Sequence, residues 1–397
     1  MHVSIRHRNV DIDDRSFRYL FENSPLYEDK KYLEARDKKK IPMSELIDLA
    51  RLAHINYALF FMPFDALTPM VEKENEKIFQ GFGGNFTISL RGKMVNLNLV
   101  RMVIKDLKIK QAFIRRYIRA DENPHPRYLA NSPKSIKEQA QCILDNLDIN
   151  LEDFRRARNK PSAMMYLIDK LEKQNILVAL ETNTNMPQNM NRAKGVSGVY
   201  IKDKRFPYLF IANEGQQDYE SGAGRKIFTI MYLVVCMFKG KSKMMSLNEV
   251  AKESVDDNIY QIVEEILLPL KDLPKKTTYT LEDIDNLSDR LKLTGRAILV
   301  RLRHTGLLKD EDSYWSLMNA LKTRFERTQA TQREAIKEGR SRYVPNVPQN
   351  IIAYHGKAFV RILKSLHGDG KVTQRQINLH LAYGRGEVRT SDVFKKV

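Results

Sequence analysis

Cysteine is scarce in this chain, and so are long apolar runs. Cys142 and Cys236 are the only two cysteines among 397 residues, and they form no CxxC pair. This excludes a disulfide framework and a zinc site built from cysteines, and it favours a reducing compartment. The first 14 residues hold no signal-like apolar run, and the longest apolar stretch, 227–238, has 12 residues, against about 20 for a membrane helix. We expect a soluble, cytoplasmic protein without membrane contact.

Familiar catalytic motifs are also missing. The eight histidines include no pair spaced three or four apart, so no helical metal clamp is visible. The sequence has no G-x-S-x-G elbow, P-loop or dinucleotide-binding glycine pattern. Gly222 and Gly224, just before a helix, either bind an anion or give the helix a flexible start. The acidic pairs at 256–257 and 264–265 are interpreted as solvated faces, and no cofactor or metal is expected.

Positive charge is abundant and unevenly distributed. The 67 Lys and Arg exceed the 49 Asp and Glu by 18, and residues 287–397 alone hold 22 basic and 10 acidic residues, a net charge of +12. Such a surface attracts polyanions, of which nucleic acid is the usual one in cells. A solvated basic face on a stable domain is the alternative.

Length and composition predict a globular chain of two or three domains. The pattern predicts an α+β, mostly helical fold in which a small mixed sheet and core helices are flanked by helical N- and C-terminal units. We divide it into a helix-turn-helix-like segment (1–68), a helical connector (69–128), a central domain (129–320) and a basic helical unit (321–397). Prolines between Asn123 and Arg127 mark the firmest boundary.

The apolar periodicity places the main elements. Predicted helices cover 17–21, 44–53, 94–118, 135–147, 163–175, 225–238, 257–267 and 351–366; predicted strands cover 176–180, 195–201 and 208–212. A last helix begins at Thr373, where Gln376 completes a capping-box pattern. His125, between two prolines, is expected in a loop.

The order of motifs from residue 176 to residue 269 resembles the ImmA/IrrE family of metallopeptidase-like proteins. The resemblance rests on a strand, a GxSG-like turn at 195–198, a strand ending at Asn213, and the segment RKIFTI at 225–230 opening a helix. The segment EEILLP at 264–269 is similar to the family's second helix, 287–308 to its next helical unit, and 42–63 to the end of its N-terminal helix-turn-helix domain. The resemblance implies a zincin-like central domain.

Active members of that family carry HExxH on the first helix. Two histidines four residues apart hold zinc, and the glutamate activates the bound water. Alignment on Phe228 and Thr229 puts Tyr232, Leu233 and Cys236 at those positions. The acidic ligand expected on the second helix is matched best by Asn258, beside Asp256 and Asp257. A catalytic zinc needs three protein ligands and an open position, so the resemblance implies a degenerate site and no enzyme activity.

The helix at 225–238 is apolar nearly all round, which favours a buried core helix. On that interpretation Cys236 acts as a small hydrophobic residue, and Tyr232 bonds its hydroxyl to a neighbour. Side chains that pack in the core then occupy the positions of the zinc ligands.

Two sets of basic residues are candidates for nucleic-acid contact. The first lies where the family's recognition helix and following loop would be, and comprises Lys30, Lys31, Arg36, Lys38, Lys39 and Lys40. The glycine expected in the turn is absent there, and interleaved acids weaken attraction to phosphate, so protein interaction is the alternative. The second set, Arg296, Arg301 and Arg303, lies on a short helix that either binds nucleic acid or braces the core.

The resulting hypothesis is a catalytically inactive ImmA/IrrE-like regulatory protein of phage, prophage or mobile-element control. It would bind a protein partner, a repressor or a toxin, or occupy DNA. The main alternative is a sequence-specific DNA-binding transcriptional repressor whose pseudo-peptidase domain senses or dimerises, so a homodimer is compatible with it. An active zinc peptidase assembled from residues distant in sequence is a third hypothesis.

Overall fold

The computed structural model describes residues 1–6, 8–24, 26, 29–53, 55–79, 89–90, 93–94, 97–132, 134–181, 196–212, 222–240, 244–246, 258–338, 347–381 and 389–397. These residues form mostly helices with small mixed sheets, as predicted. They divide into two compact units. One comprises Met1–Ile118 and Val347–Val397, with Glu181; the other comprises Arg119–Leu180 and the described residues between 196 and 338. This differs from four consecutive segments, because the C-terminal helices belong with the first 118 residues.

The N-terminal part of the first unit contains a small sheet that the sequence did not predict. Its elements are β1 (His2–Ile5), β2 (Arg8–Asp11), α1 (Asp14–Glu22), α2 (Lys30–Lys38), β3 (Lys40–Pro42), α3 (Met43–Leu52), a 3₁₀ turn (Tyr57–Phe61), α4 (Phe64–Phe79), β4 (Ser89–Leu90), β5 (Lys93–Met94) and α5 (Leu97–Tyr117). Strand β1 lies between β2, antiparallel, and β3, parallel. Only Val3 and Ile41 of these three strands are buried, so no apolar alternation marked them. The helices predicted at 17–21 and 44–53 are confirmed.

The second unit is built around one long buried helix, α9. Its elements are α6 (Ile136–Asn146), α7 (Leu151–Arg156), α8 (Lys160–Lys173), β6 (Leu177–Leu180), β7 (Val196–Ile201), β8 (Tyr208–Ile211), α9 (Gly222–Phe238), β9 (Met244–Ser246), α10 (Asn258–Leu267), α11 (Leu281–Leu291), α12 (Gly295–His304) and α13 (Glu311–Lys337), with a 3₁₀ turn at Leu270–Asp272. The sheet order is β6-β8-β7-β9, with β6 parallel to β8 and the other pairs antiparallel. The three predicted strands and both core helices are confirmed.

The proline-flanked loop at 123–129 crosses the C-terminal end of α9. The backbone N–H of Arg127 donates to the Met237 carbonyl at 2.9 Å, and that of Leu129 donates to the Phe238 carbonyl at 2.8 Å. His125 lies in this loop, as predicted, but it is buried and its ring stacks 5.2 Å from that of Phe238. The loop therefore closes one end of the core.

The C-terminal helices of the first unit are α14 (Val347–His355), α15 (Lys357–Gly368), α16 (Gln374–Leu381) and α17 (Thr390–Phe394). The single helix predicted at 351–366 is wrong, because Gly356 has φ +84° and separates α14 from α15. The capping box at the start of α16 is confirmed. The Thr373 N–H donates to Gln376 Oε1 at 2.8 Å, and the Gln376 N–H donates to Thr373 Oγ1 at 3.3 Å.

Candidate functional site

Helix α9 is enclosed on every side by other parts of the second unit. It packs against α8, α10 and strand β7, and every residue from Ile227 to Phe238 is buried. A helix that is apolar nearly all round is stable only inside a core. The structure therefore confirms the predicted core helix and places Tyr232, Leu233 and Cys236 inside it.

Leu233, which the resemblance to ImmA/IrrE proteins would place at the general base, packs onto the backbone of β7. A Cβ built on Gly198 would lie 3.0 Å from Leu233 Cδ1, 3.0 Å from Thr229 Cγ2 and 2.7 Å from the Phe210 carbonyl oxygen. Only glycine leaves room for this approach of helix to strand. The described part of the predicted GxSG-like turn, residues 196–198, belongs to β7 instead; Gly195 lies outside the described residues.

Cys236 lies near Tyr200 of the same strand. Burial raises the pKa of the Tyr200 phenol, and the nearby Asp203 carboxyl and Cys236 thiol raise it further. Both Tyr200 and Cys236 are fully buried. Cys236 is therefore placed as a small core residue rather than as a reactive surface thiol.

The residues present do not fit a catalytic zinc ion. Tyr232, Leu233 and Cys236 are buried, whereas Asn258 is exposed at the first turn of α10. Asp256 and Asp257 lie outside the described residues. Within the described part of the chain, no three His, Cys, Asp or Glu side chains come together as a metal site would require. Because a catalytic zinc takes three protein ligands, no step through a metal follows from these positions.

The acidic pair on α10 takes part in an ion-pair network, with Glu264 buried and Glu265 half-buried, so its interpretation as a solvated face is wrong. Glu264 is 2% exposed. It accepts a hydrogen bond from Arg301 Nη1 at 3.1 Å and lies 2.9 Å from His304 Nδ1. Arg301 Nη2 also donates to Glu265 Oε2 at 2.8 Å, and Arg301 Nε donates to the Leu268 carbonyl at 3.0 Å. The network joins α10 to α12.

This network removes Arg301 from the nucleic-acid candidates. Its guanidinium is buried and already donates three hydrogen bonds. A phosphate contact would break them and remove the guanidinium from the buried Glu264 carboxylate, and breaking a buried ion pair costs about 3–5 kcal/mol. Bracing of the core, the second alternative from the sequence, is the role that Arg301 has.

The other two arginines of that set are partly engaged. Arg303 Nη2 donates to Glu311 Oε1 at 2.9 Å, and the guanidinium lies 4.7 Å from the Tyr314 ring. Arg296 is half-buried near Arg225, and burial, followed by this like charge, lowers the pKa of Arg225 to about 9. Nearby, a Cβ on Gly224 would lie 3.0 Å from the Leu293 carbonyl carbon. Gly224 thus allows α9 to approach the start of α12.

The basic residues of α2 and β3 are exposed, except for half-buried Arg36. Glu34 lies between Lys30 (3.8 Å) and Lys38 (3.9 Å), Lys31 lies 3.8 Å from Glu45, and Arg36 lies 3.0 Å from Asp37. Lys39 and Lys40 pair with no carboxylate among the described residues. Over 1–68 the 11 basic residues equal the 11 acidic ones, so the net charge is zero.

The first unit contains a buried ion pair that the sequence did not indicate. Lys110 Nζ donates to Asp106 Oδ2 at 2.5 Å, and Lys110 is only 1% exposed. The ammonium lies 4.8 Å from the Tyr354 ring, and the Tyr354 hydroxyl donates to Asp106 at 3.2 Å. The i, i+4 spacing of Asp106 and Lys110 is visible in the sequence, but their burial depends on α14, which lies more than 200 residues away.

Comparisons with protein-family models, with curated proteins and with solved structures find no match. None of the described helices is both long and apolar enough to cross a membrane.

Proposed function

We propose that this chain is a catalytically inactive, ImmA/IrrE-like regulatory protein that acts by stoichiometric binding. Its partner would be a protein, a repressor or a toxin, or DNA, in the cytoplasmic control of a phage, prophage or mobile element. The resemblance suggests the setting and the zincin-like character of the second unit.

One observation carries this proposal: Leu233 stands where the family has its general base, and it is fully buried against Gly198. A general base must reach the proton that it removes and must change its protonation state. An isobutyl group packed on a strand backbone does neither. Tyr232 and Cys236 are buried beside it, so the helix contributes packing instead of chemistry.

A surface feature of the second unit supports a protein partner. Trp315, the only tryptophan of the sequence, is 50% exposed, and its indole N–H donates to Glu311 at 3.4 Å. The Arg303 guanidinium lies 4.7 Å from the Tyr314 ring and 6.0 Å from the Trp315 ring. Tryptophan, tyrosine and arginine are the residues that most often dominate binding energy at protein interfaces.

The catalytic part of the proposal is tested by titrating the purified full chain with zinc and incubating it with peptide libraries. We expect no tight, stoichiometric zinc binding and no new cleavage products by mass spectrometry. Stoichiometric zinc with peptide turnover would overturn the proposal.

The binding part is tested with a repressor or toxin encoded beside this chain. Trp315 supplies an intrinsic fluorescence signal, and light scattering gives the stoichiometry. We expect a saturable complex in which both proteins stay intact, weakened by Trp315→Ala. The matched control is Tyr57→Ala, which removes a similarly exposed aromatic residue from the other unit. Cleavage of the partner would contradict binding as the mode of action.

The second candidate function is a sequence-specific DNA-binding repressor. It is favoured by the net charge of +18, of which residues 287–397 hold +12. A gel-shift series across salt concentrations distinguishes it: DNA binding gives a steep salt dependence and one preferred site. Absence of binding up to roughly 100 μM, the weak end of non-specific DNA binding, leaves the protein partner.

A further inference from the structure

The largest excess of positive charge lies in a bundle whose helices are far apart in the sequence. It consists of α5 and the four C-terminal helices α14 to α17, which we call the C-terminal bundle. Its described residues, 97–118, 347–381 and 389–397, contain 14 Lys and Arg against 3 Asp and Glu, a net charge of +11. Most of the chain's net charge of +18 therefore belongs to these 66 residues.

Buried contacts hold the C-terminal bundle together. Lys110 of α5 lies over the rings of Tyr354 on α14 and Phe359 on α15, at 4.8 and 5.9 Å. Phe113 of α5 packs against Phe359 and, at 4.1 Å between ring centroids, against His380 of α16. Helix α5 thus packs against α14, α15 and α16.

Helices α15 and α16 are arranged as a helix, a short turn and a second helix. Five residues, 369–373, separate them, and Gly370 adopts φ +67°, a conformation that suits glycine. The backbone N–H of Lys371 donates to the Leu366 carbonyl at 2.9 Å, and the Thr373 capping box starts α16. A compact turn with a glycine is typical of helix-turn-helix units, which place the first turns of the second helix against base edges.

Polar and basic side chains lie exposed around the start of α16. Gln374, Arg375 and Asn378 are exposed on the helix, while Ile377 and Leu381 face the core. Gln374 donates to Thr390 of α17, which brings together two segments that carry the neighbouring residues Arg375 and Arg389. Lys371, Arg389 and Lys395 are exposed as well. Arginine, glutamine and asparagine are the residue types that read base edges in the major groove.

We propose that the C-terminal bundle is a binding site for double-stranded DNA. Helix α16 enters the major groove with Arg375 towards the base edges, and Arg389 and Lys395 contact phosphates. The proposal favours this surface over α2 and β3, because residues 1–68 have zero net charge. It supplies a location for the DNA-binding part of the proposed function and is independent of the loss of catalysis.

The test measures the fluorescence anisotropy of a labelled mixed-sequence duplex of about 30 base pairs, titrated with the full chain at about 50 to about 200 mM NaCl. The variant is Arg375→Gln/Arg389→Gln/Lys395→Gln. The matched control, Lys30→Gln/Lys39→Gln/Lys40→Gln, removes the same three charges from α2 and β3. Far-UV circular dichroism and the urea unfolding midpoint check that both variants fold, and all six side chains are exposed.

We expect the C-terminal variant to weaken binding at least about tenfold and to reduce the slope of log Kd against log salt by about 2–3. The control should stay within about twofold of the unchanged chain. Equal losses in both variants, or a larger loss in the control, would overturn the proposal while leaving DNA binding itself standing. Absence of duplex binding by the unchanged chain at the lowest salt would overturn both this binding site and DNA binding as a function of the chain.

A second measurement separates duplex DNA from polyanions in general. Unlabelled duplex should displace the labelled DNA at a much lower charge concentration than polyglutamate or single-stranded RNA does. Equal displacement per charge would show a generic basic surface and would overturn the proposal. Arg375→Lys keeps the positive charge but loses the planar guanidinium, which can donate two parallel hydrogen bonds to a base. We expect the slope of log Kd against log salt to stay unchanged, and the difference in affinity between duplexes of different sequence to decrease. Unchanged discrimination would contradict base contact by Arg375.

Discussion

Leu233 shows how one side chain separates a packing helix from a catalytic one. It has no accessible surface, and its Cδ1 lies against the backbone at Gly198. The sequence predicted its burial from the apolar periodicity of α9. It did not predict the contact with Gly198, because that depends on how α9 packs against β7.

Shortening Leu233 tests this packing role. We expect Leu233→Ala to lower the free energy of unfolding of the second unit by about 2–5 kcal/mol, because a cavity remains in the core. Leu270→Ala, which trims an exposed leucine of the same unit, should change it by less than about 0.5 kcal/mol. Urea denaturation measures both variants; similar effects would show that Leu233 is not part of a close-packed core.

Lys39 tests the local geometry at the end of α2. It caps this helix with φ +47°, in the left-handed region where glycine is usual. Lys39→Gly should therefore raise the free energy of unfolding by about 0.5–1 kcal/mol. Lys38→Gly, one residue earlier in the helix, should lower it by a similar amount. Changes of the same sign in the free energy of unfolding of both variants would contradict a left-handed conformation at Lys39.

Among the helices and strands, the sequence could predict those that a local apolar pattern marks. It could not predict contacts between segments that are far apart in the chain. Strands β6, β7 and β8 were predicted because each is a run of apolar and β-branched residues between turns. The break at Gly356 was missed because the apolar spacing continues across it. The sequence left the role of Arg301 open between nucleic-acid contact and core bracing, because its partners, Glu264 and Glu265, lie more than 30 residues earlier in the chain.

The pair Lys110 and Asp106 ties α5 to α14, and its removal tests the C-terminal bundle. Lys110→Met leaves the Asp106 carboxylate buried without its cation, so we expect a loss of about 3–5 kcal/mol. The double variant Asp106→Leu/Lys110→Met should lose less, because no buried charge remains. Hydrogen exchange of the α14 and α15 amides measures both. A double variant as unstable as the single one would contradict a charge-based effect.

Over the whole molecule, buried histidines predict a loss of stability in acid. Burial, and then the charge of Lys110 on α5, holds the pKa of His355 well below its usual value; His380 of α16 acts in the same direction, while the Leu381 carbonyl opposes it. Burial also lowers the pKa of His125 in the second unit. A histidine whose folded pKa is depressed binds its proton more readily when unfolded. Stability is therefore full above about pH 6.5 and falls below it.

The unfolding midpoint in urea, measured from pH 8 down to pH 5, tests this prediction. Each such histidine contributes a slope of up to about 1.4 kcal/mol per pH unit. His355→Gln should flatten the decline in the first unit and leave that of the second unit unchanged. Stability that rises on acidification would reverse the sign and contradict neutral, buried histidines.

The two units carry different parts of the proposed function. The second unit has a buried helix at the positions where the proposed resemblance would put catalytic groups, and the first unit gathers most of the net positive charge in its C-terminal bundle. Only the C-terminal bundle depends on contacts between chain segments more than 200 residues apart. The sequence therefore showed a basic tail but not that this tail packs against α5.

The most direct test of a packing role for α9 is the unfolding midpoint of the full chain in excess zinc, compared with the midpoint in a metal chelator. A ligand that binds only the folded state at about 1,000 times its Kd stabilises it by about 4 kcal/mol. We predict equal midpoints, because Tyr232, Leu233 and Cys236 pack in the core and offer no ligand set. A zinc-dependent increase of that size, lost in Cys236→Ala, would contradict this role.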